Sequence, residues 1–177
     1  MDKYEIRLSG SGGQGLLLAG IILAEAAIIE GKNAVQTQSY GPEARGGASK
    51  SEVIISNGII DFPKVRNCDI LLSLTQKSYE QYNDGLKNDG ILIVDSIVEV
   101  KDSNAKLFSA PIIDTAAHSI GKPMVTNIVA LGSLVAITKV VSRNALEQAV
   151  LSRVPKGTEE LNKKALSMGY KIGERAL

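Results

Sequence analysis

Tyr4-Glu5-Ile6-Arg7-Leu8-Ser9-Gly10-Ser11-Gly12-Gly13-Gln14-Gly15-Leu16-Leu17-Leu18-Ala19 carries the clearest structural signal in the chain. Tyr4, Ile6 and Leu8 alternate with Glu5 and Arg7, the period-two pattern of a strand over residues 4–9. Residues 10–15 form a glycine-rich turn. From Leu16 to about Glu30 the chain is apolar almost all round, which predicts a largely buried helix. Gly31 is placed to end it. A strand, a glycine turn and a buried helix open an α/β unit.

Outward from this unit, further strands are expected over residues 34–40, 51–56, 69–74, 90–94 and 104–110. Asn57-Gly58 is a hairpin dipeptide, so Ile59 and Ile60 are expected to begin a short return strand and to make the sheet mixed. Helices are expected over residues 76–86, 112–120, 127–140, 143–150 and 158–175. The last is amphipathic, with Leu161, Ala165, Met168 and Ile172 at helical spacing. The predicted fold is an α/β three-layer sandwich, Rossmann-like, around a mainly parallel, mixed sheet. No repeat or interdomain linker interrupts the chain, so residues 1–177 are expected to form a single domain.

The 177 residues are 44% hydrophobic and 22% charged, an ordinary globular balance. A net charge of +1 gives no electrostatic footprint for nucleic acid, and 4% aromatics give few stacking platforms. The one cysteine, Cys68, cannot hold an iron–sulfur cluster or a cysteine-based zinc site and is expected to be a small buried hydrophobe. The first 15 residues lack the apolar core of a signal peptide, and the apolar run 16–29 is broken by Gly20 and Glu25. The cytoplasm is the expected location, with no membrane partner.

Gly10-Ser11-Gly12-Gly13-Gln14-Gly15 fits the first half of the dinucleotide fingerprint: glycines for close approach, and a helix N-terminus offering free N–H groups to an anion. The second half of that fingerprint is an acid roughly 20 residues on, at the end of the second strand. Here that strand, Ala34-Val35-Gln36-Thr37-Gln38-Ser39-Tyr40, has no carboxylate, which argues against a nicotinamide-dependent dehydrogenase. No Gly-Lys-Ser/Thr follows, so a P-loop is excluded. Three readings stay open: tight packing of a buried helix, binding of a phosphate-bearing group, or contact with the backbone of a partner subunit.

Ser39-Tyr40-Gly41-Pro42-Glu43-Ala44-Arg45-Gly46-Gly47 directly follows the second strand. Strand ends in an open α/β sheet face one crevice, so this loop is expected beside the glycine loop. Arg45 has the planar fork suited to carboxylate or phosphate, and Glu43 has the charge to pair with it or act on a cofactor. The alternative is a solvated turn with a surface ion pair of little worth.

The glycine loop and Ser39–Gly47, together with Val125-Thr126-Asn127-Ile128-Val129-Ala130-Leu131-Gly132, resemble three segments of the gamma subunit of 2-oxoacid:ferredoxin oxidoreductases (the pyruvate/ketoisovalerate oxidoreductase catalytic-domain family). The resemblance spans essentially the whole chain. Within the family, the second loop is more similar to the 2-oxoglutarate or branched-chain type than to the pyruvate type. An indolepyruvate oxidoreductase small subunit shares the glycine loop and the final Arg-Gly-Gly, but usually differs at Tyr40-Gly41-Pro42-Glu43.

The resemblance implies a multi-subunit enzyme that oxidatively decarboxylates a 2-oxoacid to an acyl-CoA and passes electrons to ferredoxin. It implies alpha, beta and ferredoxin-like delta partner subunits. Thiamine diphosphate, magnesium and iron–sulfur clusters would sit in those partners, with CoA as co-substrate, and no cofactor would be bound by this chain alone. The chain would line a shared cleft and carry no catalytic residue of its own. Its contributions there would be the backbone of Gly10, Gly12, Gly13 and Gly15, the amide of Gln14, and Tyr40, Glu43, Arg45 and Gly46. Asn127 would either cap its helix or reach the cleft. The isolated chain is open to homodimerisation through its docking face.

Asp95, closing a buried strand, is read as a cap or a functional acid. His118, the only histidine, is read as an ordinary surface or core residue or a general base. The competing function class is a stand-alone nucleotide-binding or regulatory module, which the glycine loop alone would permit.

Overall fold

In a computed structural model, residues 3–38, 48–101 and 103–177 are described. They build a six-stranded sheet flanked by helices on both faces. The strands are β1 (Lys3–Ser11), β2 (Asn33–Gln38), β3 (Ala48–Ser56), β4 (Cys68–Ser73), β5 (Leu86–Asp95) and β6 (Lys106–Ala110). Their order is β2-β3-β1-β4-β5-β6. Strands β1, β4, β5 and β6 are parallel, and β3 runs antiparallel to both β1 and β2.

The sheet is therefore mixed, as expected, but through a different strand. Ile59 and Ile60 form no return strand. Asn57-Gly58 does turn the chain: the Gly58 N–H donates to Ser56 Oγ (3.0 Å), and the Gly58 carbonyl accepts from Asn33 Nδ2 (3.0 Å). A return strand would need a free edge on β3, and both are taken, by β2 and by β1. The chain instead crosses the sheet face toward Val65, which is buried there.

Alternation along the strands sorts the core onto two faces. Ile6, Leu8, Val53, Ile55, Ile70, Leu72 and Ile93 pack with α1 (Leu16–Ile29), α4 (Thr126–Thr138), α5 (Arg143–Arg153) and α6 (Glu159–Ala176). Ile54, Leu71, Leu92 and Val94 pack with Val65, Val98 and Tyr79 of α2 (Gln76–Tyr82). Each fully buried Leu or Ile contributes about 1.5–3 kcal/mol. α4 is the most enclosed helix, buried from Thr126 through Ile137, whereas Ile28 and Ile29 leave the end of α1 exposed. The segment expected as one helix over residues 112–120 begins as α3 (Ile112–Asp114) and continues as a wider π turn over Thr115–Ser119.

Arg7 is the exception in β1. On the α2 face its guanidinium donates to Glu52 at 2.7 Å, both side chains being nearly buried. Lys50 reaches the same carboxylate at 3.1 Å, and the Tyr82 ring lies beside both cations, 5.7 Å from Arg7 and 5.6 Å from Lys50. Loss of either buried partner would strand a charge, at a cost of about 3–5 kcal/mol.

Candidate functional site

The parallel strands β1, β4, β5 and β6 all end at one edge of the sheet, and β3 begins there, with Ala48 opposite Ser11. This edge gathers the loop 12–15, the turn after β4, the Asp95 turn after β5 and the start of α4. The connection 39–47 leaves from Gln38 and re-enters at Ala48. Its predicted site residues Tyr40, Glu43, Arg45 and Gly46 lie outside the described residues.

Gly10 belongs to β1 and pairs with Ser49; a Cβ there would fall 2.3 Å from Gln14 Oε1 and 3.0 Å from Leu16. Gly12 and Gly13 are exposed with open space around them, and Gly13 has φ +85°. Gly15 caps α1 in the left-handed region at φ +72°. Among the described residues no side chain caps that N-terminus, and no acid sits in its first turn, so nothing described there offsets its dipole end. The loop leads straight into the first turn of α1, whose N–H groups have no intrahelical partners, while the Gln14 N–H donates to the Ser11 carbonyl at 3.4 Å.

The side chain of Gln14 turns back on the loop. Its Oε1 accepts from the Ser11 N–H at 2.8 Å, so the carbonyl end is spent internally and the amide N–H groups remain. Asn127 is buried at the start of α4; its Nδ2 donates to the Gly15 carbonyl (3.2 Å) and its Oδ1 accepts from the Ile128 N–H (2.9 Å). It thus serves a first-turn donor and the glycine loop together, and it lies inside the fold. Beside it, Leu18, Met124, Val125, Ile128, Val154 and Leu161 line a small cleft of about 110 Å³, with Met124 77% exposed at its rim.

Asp95 acts as a cap. Its oxygens accept from the N–H groups of Ile97 (3.1 Å) and Ile113 (2.7 Å), tying the end of β5 to α3. Burial pushes its carboxyl above the usual range, against those donors. His118 is exposed and paired with Asp114 at 2.8 Å, a surface position. Cys68 begins β4 at the opposite edge; burial pushes its thiol up to about 11. Among the described residues no group of three or more His, Cys, Asp or Glu is placed to hold a metal, and no helix is long and apolar enough to cross a membrane.

Sequence reasoning missed the Ser9–Ser73 hydroxyl pair (2.8 Å) that joins the ends of β1 and β4 below the loop. Small hydroxyls closing two apolar strands were its only signal. The contact between Asn127 and Gly15 was also out of reach, since nothing local ties residues so far apart in sequence.

The glycine turn resembles a dinucleotide loop only locally. In the dinucleotide fold the second strand lies parallel beside the first, bringing its acid to the ribose. Here antiparallel β3 separates β1 from β2. Strand order and the glycine turn together define a Rossmann-like α/β protein with no ribose acid on β2.

The family described as Pyruvate ferredoxin/flavodoxin oxidoreductase matches residues 5–172, and the chain belongs to it, as a gamma-type subunit of an oxidoreductase. The 2-oxoglutarate synthase subunit KorC of Methanocaldococcus jannaschii is 50% identical over 177 residues, covering 97% of this chain and 95% of that one. The crystal structure of the keto/oxoacid ferredoxin oxidoreductase gamma subunit from Geobacter sulfurreducens PCA has a TM-score of 0.92 at 53% identity, over 99% of each chain. A 2-oxoglutarate:ferredoxin oxidoreductase from Magnetococcus marinus, with 2-oxoglutarate, coenzyme A and succinyl-CoA bound, shares the fold. Its TM-score is 0.87 at 19% identity, over 100% of this chain and 32% of that one.

Proposed function

We propose that the chain works in a 2-oxoglutarate:ferredoxin oxidoreductase, where it lines the cleft in which a 2-oxoacid is oxidatively decarboxylated to its acyl-CoA. The observation that carries this reading is the uncapped α1 N-terminus behind the open loop 12–15, at the edge from which 39–47 also springs. The 50% identity to a 2-oxoglutarate synthase subunit over nearly both full lengths supports the choice of oxoacid.

The residues of this chain fit a supporting role toward the cofactors. Its one cysteine is buried at the far edge, and no acid or histidine cluster is available among the described residues. On this reading thiamine diphosphate, magnesium and the clusters sit in alpha, beta and ferredoxin-like delta partners in the cytoplasm, and the chain acts as one domain within that complex. Thiamine diphosphate supplies the electron sink for decarboxylation when bound in its partner. Gly12, Gly13 and Gly15 present N–H groups to an anionic part of CoA or the oxoacid. Arg45 adds a charge-assisted fork, and Tyr40, Glu43 and Gly46 shape the wall.

The test is purification of the tagged chain from its native host without oxygen. A brown complex that contains thiamine-binding and ferredoxin-like chains and oxidises 2-oxoglutarate with CoA is the expected result. A colourless chain recovered alone would favour the stand-alone nucleotide-binding module. In the complex, Arg45→Ala should raise the KM for 2-oxoglutarate or CoA about tenfold or more; unchanged kinetics would remove Arg45 from the site.

A further inference from the structure

Asn127 is held within the fold. It is 4% exposed, and both ends of its amide are engaged, Nδ2 with the Gly15 carbonyl at 3.2 Å and Oδ1 with the Ile128 N–H at 2.9 Å. The Gly15 carbonyl is itself the first acceptor of α1, receiving the Ala19 N–H at 3.0 Å. One carbonyl thus joins the first turn of α1 to the first turn of α4. The fit is close: a Cβ on residue 15 would lie 2.7 Å from Asn127 Nδ2. At the other end of the loop, Gln14 Oε1 holds the Ser11 N–H at 2.8 Å. Two side-chain amides therefore pin the loop at its two ends, while Gly12 and Gly13 between them face open space.

We infer that Asn127 is a positioning residue: by holding the Gly15 carbonyl it fixes the direction in which the loop 12–15 presents its N–H groups, without touching the bound molecule. The inference rests on the proposed role of that loop as an anion contact. Only a compact side-chain amide meets the geometry. A carboxylate there would set oxygen against the carbonyl oxygen, and a shorter side chain would leave the Gly15 carbonyl with the Ala19 N–H alone and no tie to α4.

Amide hydrogen exchange on the whole chain tests this, with Asn127→Ala and, as the milder change, Asn127→Ser. Expected is about tenfold faster exchange at the hydrogen-bonded amides of the loop and first turn, those of Ser11, Gln14 and Ala19, with the amides of β4 and β5 unchanged. Unchanged exchange in the loop overturns the inference. So does an equal loss of protection throughout the sheet in both variants, which would make Asn127 a packing residue only. The second readout is the assembled oxidoreductase, titrated with CoA and with 2-oxoglutarate. One of the two KM values should rise about tenfold with kcat within about twofold. Faster loop exchange with both KM values unchanged would leave Asn127 as the clamp and instead overturn the anion-contact role of the loop.

Discussion

Gly15 is held by two independent constraints. Its φ of +72° lies where a side chain strains the backbone, and its Cβ position is occupied by the amide of Asn127. Gly15→Ala should therefore lower stability by about 2 kcal/mol or more, read by denaturant unfolding. Asp95 gives a pH-dependent case. Its carboxyl is pushed up by burial, so the folded chain keeps a proton that the unfolded chain has already released. Its contribution to stability is fully present below the ordinary Asp value and is lost as pH rises through the raised folded value. Asp95→Asn mimics the protonated form. Stability of the parent relative to this variant should decline as pH rises across that window, measured by urea unfolding at several pH values between about 4 and 7. A difference independent of pH would show that the carboxyl titrates alike in both states. Of these two residues, the turn glycine was visible in the sequence as part of a pattern, and Asp95 as an acid closing an apolar strand. Asp95's hydrogen-bond partner Ile113 lies across the next strand and was not.

Helices α4 and α6 meet backbone to backbone. A Cβ on Gly169 would lie 2.4 Å from the Val129 carbonyl, and one on Gly132 would lie 2.7 Å from the Leu166 carbonyl. Gly169→Ala should cost about 1–3 kcal/mol through forced separation of the pair. Gly12→Ala, with open space around it, should stay within about 0.5 kcal/mol. Thermal unfolding of the two variants compares them directly, and equal shifts would contradict the packing argument. Most elements were legible because their signals are local: alternation in β1, an unbroken apolar run in β4, apolar periodicity in α6. The failures arose where non-local structure decides. Asn57-Gly58 is a sound turn, yet β3 had no free edge for a return strand. That occupancy depends on β2 pairing through a connection whose route no dipeptide encodes. The order that separates β2 from β1 was likewise invisible in the strand sequences. The missing acid on β2 was the only local trace that the glycine loop is not a dinucleotide loop.

At the scale of the molecule, the strand-end edge proposed to receive an anion carries, among the described residues, no cluster of acids, histidines or cysteines that could hold a metal. Cys68 begins β4 at the opposite edge, its sulfur directed to the Gly85 carbonyl at 3.4 Å and its thiol pushed up to about 11, a poor metal ligand at neutral pH. Two titratable groups considered from the sequence are engaged within the fold: Asp95 caps backbone N–H groups and His118 pairs with Asp114. Meanwhile Met124, just before α4, and Ile97, in the turn after β5, are 77% and 64% exposed, the kind of apolar surface a partner covers. A surface with binding capacity and no redox group is half of a site. The purified chain should accordingly be colourless across the visible spectrum and should not reduce viologen with 2-oxoglutarate and CoA. Activity should appear only when the partner subunits are added, and should saturate as they reach stoichiometry with this chain. Robust CoA-dependent viologen reduction by the pure chain would mean that residues 39–47 and the described edge form a complete catalytic centre. The division of labour between this subunit and its partners would then have to be abandoned.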